Sequence, residues 1–202
     1  MKQLFIVPLI ILLCFAASCQ QGKGVAENQH NTVIIYGSRY GSTSQTAKWI
    51  AEGMERKTDV FAAEDIGDLD VYRYVILGSG IYYNDLHEDM LDFLKEDKNV
   101  IKDKVIAVFI VSGTPPSDAQ AYLDKFVDKC EAQNPLTRAF WGWLKRDLLS
   151  PEDLKGVEEF YKTINQPFVE FDRTDESSCL QFGKEILQAI SGFEDGDKEG
   201  TK

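Results

Sequence analysis

Hydrophobic positions along this chain follow two alternating rhythms. Thr32-Val33-Ile34-Ile35-Tyr36, Tyr74-Val75-Ile76-Leu77-Gly78 and the stretch from Lys104 to Val111 are continuous apolar runs, and Asp59–Ala63 is a shorter one. Short runs of this kind suit strands that are covered on both faces. Between them apolar residues recur at helical spacing. Ala47, Trp49, Ile50, Ala51 and Met54 form one stripe, Met90, Leu91, Phe93 and Leu94 a second within Leu86–Lys95, and Tyr122, Leu123, Phe126 and Val127 a third within Ala119–Cys130. Ser150-Pro151-Glu152-Asp153 combines a cap residue, a proline and first-turn acids, which predicts a helix start. Thr174-Asp175 opens a last helix carrying Leu180, Phe182, Ile186, Leu187 and Ile190. Leu136–Phe171 is less regular: Phe140-Trp141-Gly142-Trp143 is unusually aromatic, and Gln166–Phe171 reads as extended. This order predicts right-handed crossovers, a parallel sheet and a doubly wound α/β domain with helices on both faces.

Three loops leave strand carboxyl ends in this layout: Gly37–Ser42, Ser79–Leu86 and Ser112–Ser117. Ligands of doubly wound sheets bind beyond those ends, so the loops are candidates for one shared site. The first loop is the most informative. Gly37 and Gly41 allow close backbone approach, and Ser38, Ser42, Thr43 and Ser44 supply neutral donors ahead of a helix N-terminus, where N–H groups lack partners and the macrodipole is positive. The composition suits a phosphate. No Gly-Lys-Ser/Thr ending is present, so the loop is not a nucleoside-triphosphate P-loop, and the three-glycine dinucleotide spacing is absent too. A hydroxyl-rich, lysine-free loop fits a single monoester phosphate; a helix cap followed by a plain turn is the alternative reading. In the second loop Ser79 and Gly80 are small, while Tyr82 and Tyr83 can lie against a planar ring beside Ile81. In the third, Ser112-Gly113-Thr114 precedes a stiff Pro115-Pro116, with Ser117 or Asp118 expected to cap the next helix.

Ser38-Arg39-Tyr40-Gly41-Ser42-Thr43 resembles the phosphate-binding loop of flavodoxins, a hydroxyl residue followed by x-Thr-Gly-x-Thr, with Tyr40 where that pattern usually has threonine. The resemblance implies a flavodoxin-like sheet of five parallel strands and FMN as cofactor. Ser38, Tyr40, Gly41, Ser42 and Thr43 would then hold the phosphate, Ser79, Gly80, Ile81, Tyr82 and Tyr83 would line the ring, and Ser112, Gly113 and Thr114 would complete the site. No catalytic side chain is expected, because the flavin carries the chemistry. The Gly-Ser-Gly-Ile-Tyr-Tyr segment, the long aromatic-bearing region and Thr174-Asp175 are together similar to the menaquinone-dependent protoporphyrinogen oxidase branch of the superfamily. In that branch the segment matching Phe140–Phe171 is basic; here Lys145, Arg146, Lys155 and Lys162 stand among several acids.

The two ends read differently from the domain. Lys2 followed by the apolar stretch Leu4–Phe15 and then Ala16-Ala17-Ser18-Cys19 has the shape of a secretory signal over residues 1–18. It resembles a bacterial lipoprotein box with Cys19 as the lipidated residue, although Ala16 replaces the usual leucine. The expectation is an exported domain, lipid-anchored at a bacterial cell membrane or outer membrane, with residues 19–31 as a tether, 32–191 as the domain and 192–202 as a disordered acidic tail. Cleavage with release and an uncleaved anchor stay open.

The net charge of −11 argues against nucleic acid as a partner and against basic-patch binding to anionic lipid. Only Cys130 and Cys179 could pair within the domain, and their spacing is not that of metal ligands. His30 and His87 have no evident catalytic partner, and His87 reads as a polar residue at a helix start. The expected role is FMN-dependent electron transfer with a redox partner protein or a membrane quinone. The rival is an anchored binding protein of the same fold that has lost its flavin.

Overall fold

The structure is a computed structural model and describes residues 31–199. The predicted signal, Cys19 and nearly all of the tether lie outside the described residues. The strands are β1 (Thr32–Gly37), β2 (Asp59–Ala62), β3 (Tyr74–Tyr82), β4 (Asp85–Leu86), β5 (Val105–Ser112), β6 (Leu136–Trp141), β7 (Trp143–Leu144) and β8 (Phe171–Asp172). The helices are α1 (Ser42–Gly53), α2 (Glu88–Ile101), α3 (Gln120–Cys130), α4 (Pro151–Thr163) and α5 (Glu176–Glu199).

Five parallel strands form the sheet in the order β2-β1-β3-β5-β6. Alternate residues of each central strand face opposite sides. Val33, Ile35, Val75, Leu77, Val108 and Ile110 pack with Phe93 of α2 and Phe126 of α3. Ile34, Ile76, Ala107 and Phe109 pack on the other face with Ile50 of α1 and Phe182 of α5. Burial on both faces explains the continuous apolar runs Val33–Ile35, Val75–Leu77 and Val105–Val111 within β1, β3 and β5. Phe109, Phe140 and Phe182 meet edge to face, at centroid distances of 6.1 and 5.9 Å. The Phe109 ring lies where a side chain on Gly78 would be, 2.1 Å from a Cβ built there, so this strand position accepts only glycine.

Three features depart from the sequence expectation. The fifth strand is Leu136–Trp141; of Gln166–Phe171 only Phe171 enters a strand, the short β8 paired with β7. As an edge strand, β6 buries only Phe140 deeply, so it lacks the apolar run that marks the others. β3 runs on through Gly80 and Ile81 to Tyr82, because β4 folds back on it in antiparallel register. The last helix continues past Ser191 to Glu199, into the segment expected to be a disordered tail. Stacking of Phe193 on Tyr74 at 6.5 Å and the Arg56–Glu194 ion pair hold that extension against the body. In addition, Ala119 stands at the cap position of α3 and supplies no side-chain cap, so neither Ser117 nor Asp118 plays that part.

Cys130 belongs to the core on one side of the sheet and Cys179 to the core on the other, and both are free thiols. Burial pushes the Cys179 thiol up to about 12 and raises that of Cys130. Non-reducing peptide mapping is therefore expected to find no Cys130–Cys179 bridge. Thiol reagents should label the two residues only on unfolding, because the thiolate is the reactive species. A recovered Cys130–Cys179 peptide would contradict the fold.

Candidate functional site

Strand order reverses between β1 and β3, whose last paired residues are Gly37 and Ser79. The loops that follow diverge there and leave a crevice. Gly41 turns the chain into α1 at φ 87°, a conformation that disfavours any side chain. The Ser38 hydroxyl folds back and accepts from the N–H groups of Gly41 (3.2 Å) and Ser44 (3.4 Å). The N–H groups of Ser42 and Thr43 cannot be reached by any intrahelical carbonyl and remain at the positive end of α1. There is no acidic residue in the first turn of α1. Thr43 is 1% exposed, and its Oγ1 has no hydrogen-bond partner. That hydroxyl lies 3.0 Å from a Cβ built on Gly80, and the Tyr82 ring lies 2.7 Å from the same point, so this position accepts only glycine.

β3 ends in a tight hairpin with Tyr83 (φ 47°) and Asn84 (φ 63°), both left-handed, between Tyr82 and Asp85. Two positive φ values are what a two-residue hairpin turn of matching twist requires, although such turns usually hold Asn and Gly. Cross-links hold this turn in place. The Arg39 N–H donates to the Tyr82 hydroxyl at 3.0 Å, Tyr122 donates to Asn84 Oδ1 at 2.9 Å, and Tyr83 donates to Asp153 Oδ1 at 3.1 Å. Behind the turn, Ser79 is fully buried; its hydroxyl accepts from the His87 N–H at 2.9 Å and donates to the Gly80 carbonyl. His87 caps α2 by accepting from the Asp89 N–H through Nδ1, and desolvation lowers its pKa.

These pieces enclose a cleft of about 640 Å³, a common size for a cofactor site. Of the residues singled out in sequence, Tyr40, Ser42, Gly80, Ile81, Tyr82, Tyr83, Ser112, Gly113 and Thr114 line it. Ser38, Gly41, Thr43 and Ser79 do not; they stand behind the wall, shaping the loop or buried beneath it. In the third loop, Ser112 Oγ accepts from the Thr114 N–H at 3.2 Å and keeps the turn tight.

The sequence reading missed the roof. Residues 142–172 cross the cleft and contribute Trp143, Leu149, Asp153, Gly156, Phe160 and Phe171, among others. Trp143 Nε1 donates to the Tyr40 carbonyl at 2.8 Å, and its ring covers Gly41. Ser150 caps α4, accepting from the Asp153 N–H at 3.1 Å, as the sequence predicts. The Asp153 side chain then reaches the first loop. It accepts from the hydroxyls of Tyr40, Ser150 and Tyr83 and pairs with Arg39 at 3.1 Å. Burial by itself would raise its pKa, but the three hydroxyls and the guanidinium outweigh it and hold the carboxyl below the usual range. The aromatic density of residues 140–143 and the helix start at Ser150-Pro151-Glu152-Asp153 were the sequence signals for this roof.

The donors at the start of α1 fit a phosphate monoester: open N–H groups, an orphaned buried hydroxyl, a left-handed glycine and no first-turn acid. The Tyr82, Tyr83 and Trp143 rings and the apolar roof fit a planar ring system. Among the described residues there is no group of His, Cys, Asp and Glu suited to a metal ion, and no helix is long and apolar enough to cross a membrane.

The fold recurs in known proteins. A flavodoxin from the domain Archaea is 17% identical with a TM-score of 0.50, the alignment covering 79% of this chain and 98% of that one. The flavodoxin-type WrbA-like protein from Agrobacterium tumefaciens is 19% identical with a TM-score of 0.50, over 81% of this chain and 98% of its own. Two-electron reduced Megasphaera elsdenii flavodoxin is 15% identical with a TM-score of 0.50, over 78% and 98%. No curated protein matches in sequence. Identities this low speak for the fold alone. The flavodoxin domain family, however, matches residues 33–162, which is more than half of the chain and includes the first loop, the hairpin and the roof helix. On that match and this strand order, the chain belongs to the flavodoxin domain family.

Proposed function

We propose that the chain binds FMN in this cleft and serves as an electron-transfer protein. The observation that carries the reading is Thr43 Oγ1, buried without a partner at the N-terminus of α1 and packed close to Gly80. Native proteins rarely bury a hydroxyl unpaired, and such a group signals an absent partner. A phosphate ester supplies acceptors for it and for the Ser42 and Thr43 N–H groups together. When bound, the flavin supplies one- and two-electron chemistry. The chain's own residues bind and orient it: the first loop holds the phosphate end, Tyr82 and Tyr83 present ring faces, and the roof limits water.

Attachment through a lipid on Cys19, export, and a redox partner or quinone belong to the same proposal and rest on the sequence pattern alone. The charges of the roof favour an electron carrier over a quinone-linked oxidase. Lys145 pairs with Asp172 at 2.9 Å, Arg146 with Glu158 at 2.7 Å, and Lys155 with Glu159 at 3.9 Å, so these cations do not build a basic face toward a membrane. The flavin-free binding protein is kept as the second reading by one observation: the Tyr40 hydroxyl is engaged by Asp153 instead of facing an open loop.

Titration with FMN, followed by absorbance and flavin fluorescence, decides between them. The expected result is a saturable spectral change and flavin that stays with the protein through gel filtration. No change at about 1 mM FMN, where even a site worth about −4 kcal/mol is half filled, would leave the binding-protein reading.

A further inference from the structure

Asp153 has four partners from three separate parts of the chain. Tyr40 and Arg39 come from the first loop, Tyr83 from the hairpin, and Ser150 from its own helix start. Its side chain is 12% exposed. A helix cap needs none of the long-range contacts, since an acid in the first turn already complements the helix N-terminus. What the four donors make is a receptor for an oxyanion, and the carboxylate occupies it. Two of those donors are carried by the first loop, which the reading above assigns to the phosphate.

Resting on the FMN reading above, we propose that Asp153 is an internal competitor for the phosphate group and sets how strongly the site prefers a phosphorylated flavin over riboflavin. Binding a phosphate ester leaves two possibilities. Arg39 and Tyr40 turn toward the phosphate, and Asp153 loses its partners in a confined place. Otherwise they stay, and a carboxylate remains beside a phosphate with like charge opposing it. Both outcomes weaken the binding of FMN. Neither applies to riboflavin, which has the same ring and chain but no phosphate. The ratio of the two affinities therefore isolates the charge of Asp153 from any general loosening of the roof, which would change both flavins in parallel.

The test is the affinity of the full chain for FMN and for riboflavin in wild type, Asp153→Asn and Ser150→Ala, with a thermal melt on each. Asparagine keeps an acceptor for Tyr40 and Ser150 and removes the charge. Ser150→Ala removes the cap of α4 and leaves the charge. Asp153→Asn is expected to raise the FMN-to-riboflavin preference about tenfold, the factor that corresponds to about 1.4 kcal/mol. Ser150→Ala is expected to shift both affinities together. If Asp153→Asn does not fold, Asp153→Ser reads the same ratio with a shorter neutral acceptor. An unchanged or lowered preference in the neutral variant overturns the inference and leaves Asp153 as a tie for α4. An equal rise in Ser150→Ala overturns it as well, since charge is then not the cause. Failure of wild type to bind either flavin overturns the cofactor reading itself, a result distinct from both.

Discussion

Replacing Thr43 with valine is expected to weaken FMN binding by one to two orders of magnitude while leaving the flavin-free fold as stable as before or more so. The two residues have nearly the same shape, and both are stiff at χ1, so helix α1 is little disturbed. The difference is the hydroxyl. In the folded chain Thr43 is 1% exposed and Oγ1 has no partner. An unpaired buried polar group costs about 1–3 kcal/mol, so its removal should raise the melting temperature by a few degrees. With FMN present the same hydroxyl would donate to a charged oxygen, and such bonds contribute about 1.5–3 kcal/mol, equivalent to roughly 10- to 150-fold in affinity. The opposite signs make the prediction sharp. Unchanged FMN affinity would place the phosphate elsewhere, and a destabilised flavin-free protein would mean that Oγ1 already has a partner.

The largest effect on stability is expected at Gly183, in the middle of α5. Glycine is the poorest helix former apart from proline, and an exposed glycine-to-alanine change in a helix gains about 1 kcal/mol. Here the sign reverses. A Cβ on Gly183 would lie 2.2 Å from the Ile50 carbonyl oxygen and 2.9 Å from backbone atoms of Gly53 and Met54. A Cβ on Gly53 would likewise meet the Leu180 carbonyl at 2.2 Å. The two helices touch backbone to backbone, and backbone atoms cannot rotate out of the way. Gly183→Ala must push α1 and α5 apart, at a cost of about 3 kcal/mol or more. For a domain of this size that lowers the melting temperature by roughly 6–12 °C. Gly192→Ala, on the same helix with nothing within 4 Å, serves as the control and should be neutral or stabilising. Since α1 begins at the phosphate loop, Gly183→Ala should weaken FMN as well. Equal behaviour of the two alanine variants would show that the helix contact is looser than described.

The central architecture was legible because it rests on local patterns. A strand buried on both faces is apolar along its middle, and Val33–Ile35, Val75–Leu77 and Val105–Val111 are. The helix stripes likewise announced α1, α2, α3 and α5, and Ser150-Pro151-Glu152-Asp153 announced α4. The edge strand β6 escaped notice because an edge buries one face poorly, so Thr137 and Arg138 are tolerated within it. The far end of α5 read as a polar tail because its anchors, Tyr74 and Arg56, lie far away in sequence.

By itself the sequence determined β1, β2, β3, β5 and the five helices, the hydroxyl-and-glycine loop ahead of α1, and the three loops that gather at one end of the sheet. Each follows from interactions between near neighbours: burial period, capping, turn chemistry. Only the tertiary structure decided which residues of those loops face the cleft, that residues 142–172 roof it, and that Asp153 joins Tyr40 across 113 residues of chain. It also decided that Gly53 and Gly183 are contact points and not mere helix defects. The physical reason is common to all of these. Hydrogen-bond satisfaction and close packing are settled by whichever groups the fold brings together, and a local pattern carries no record of a partner a hundred residues away.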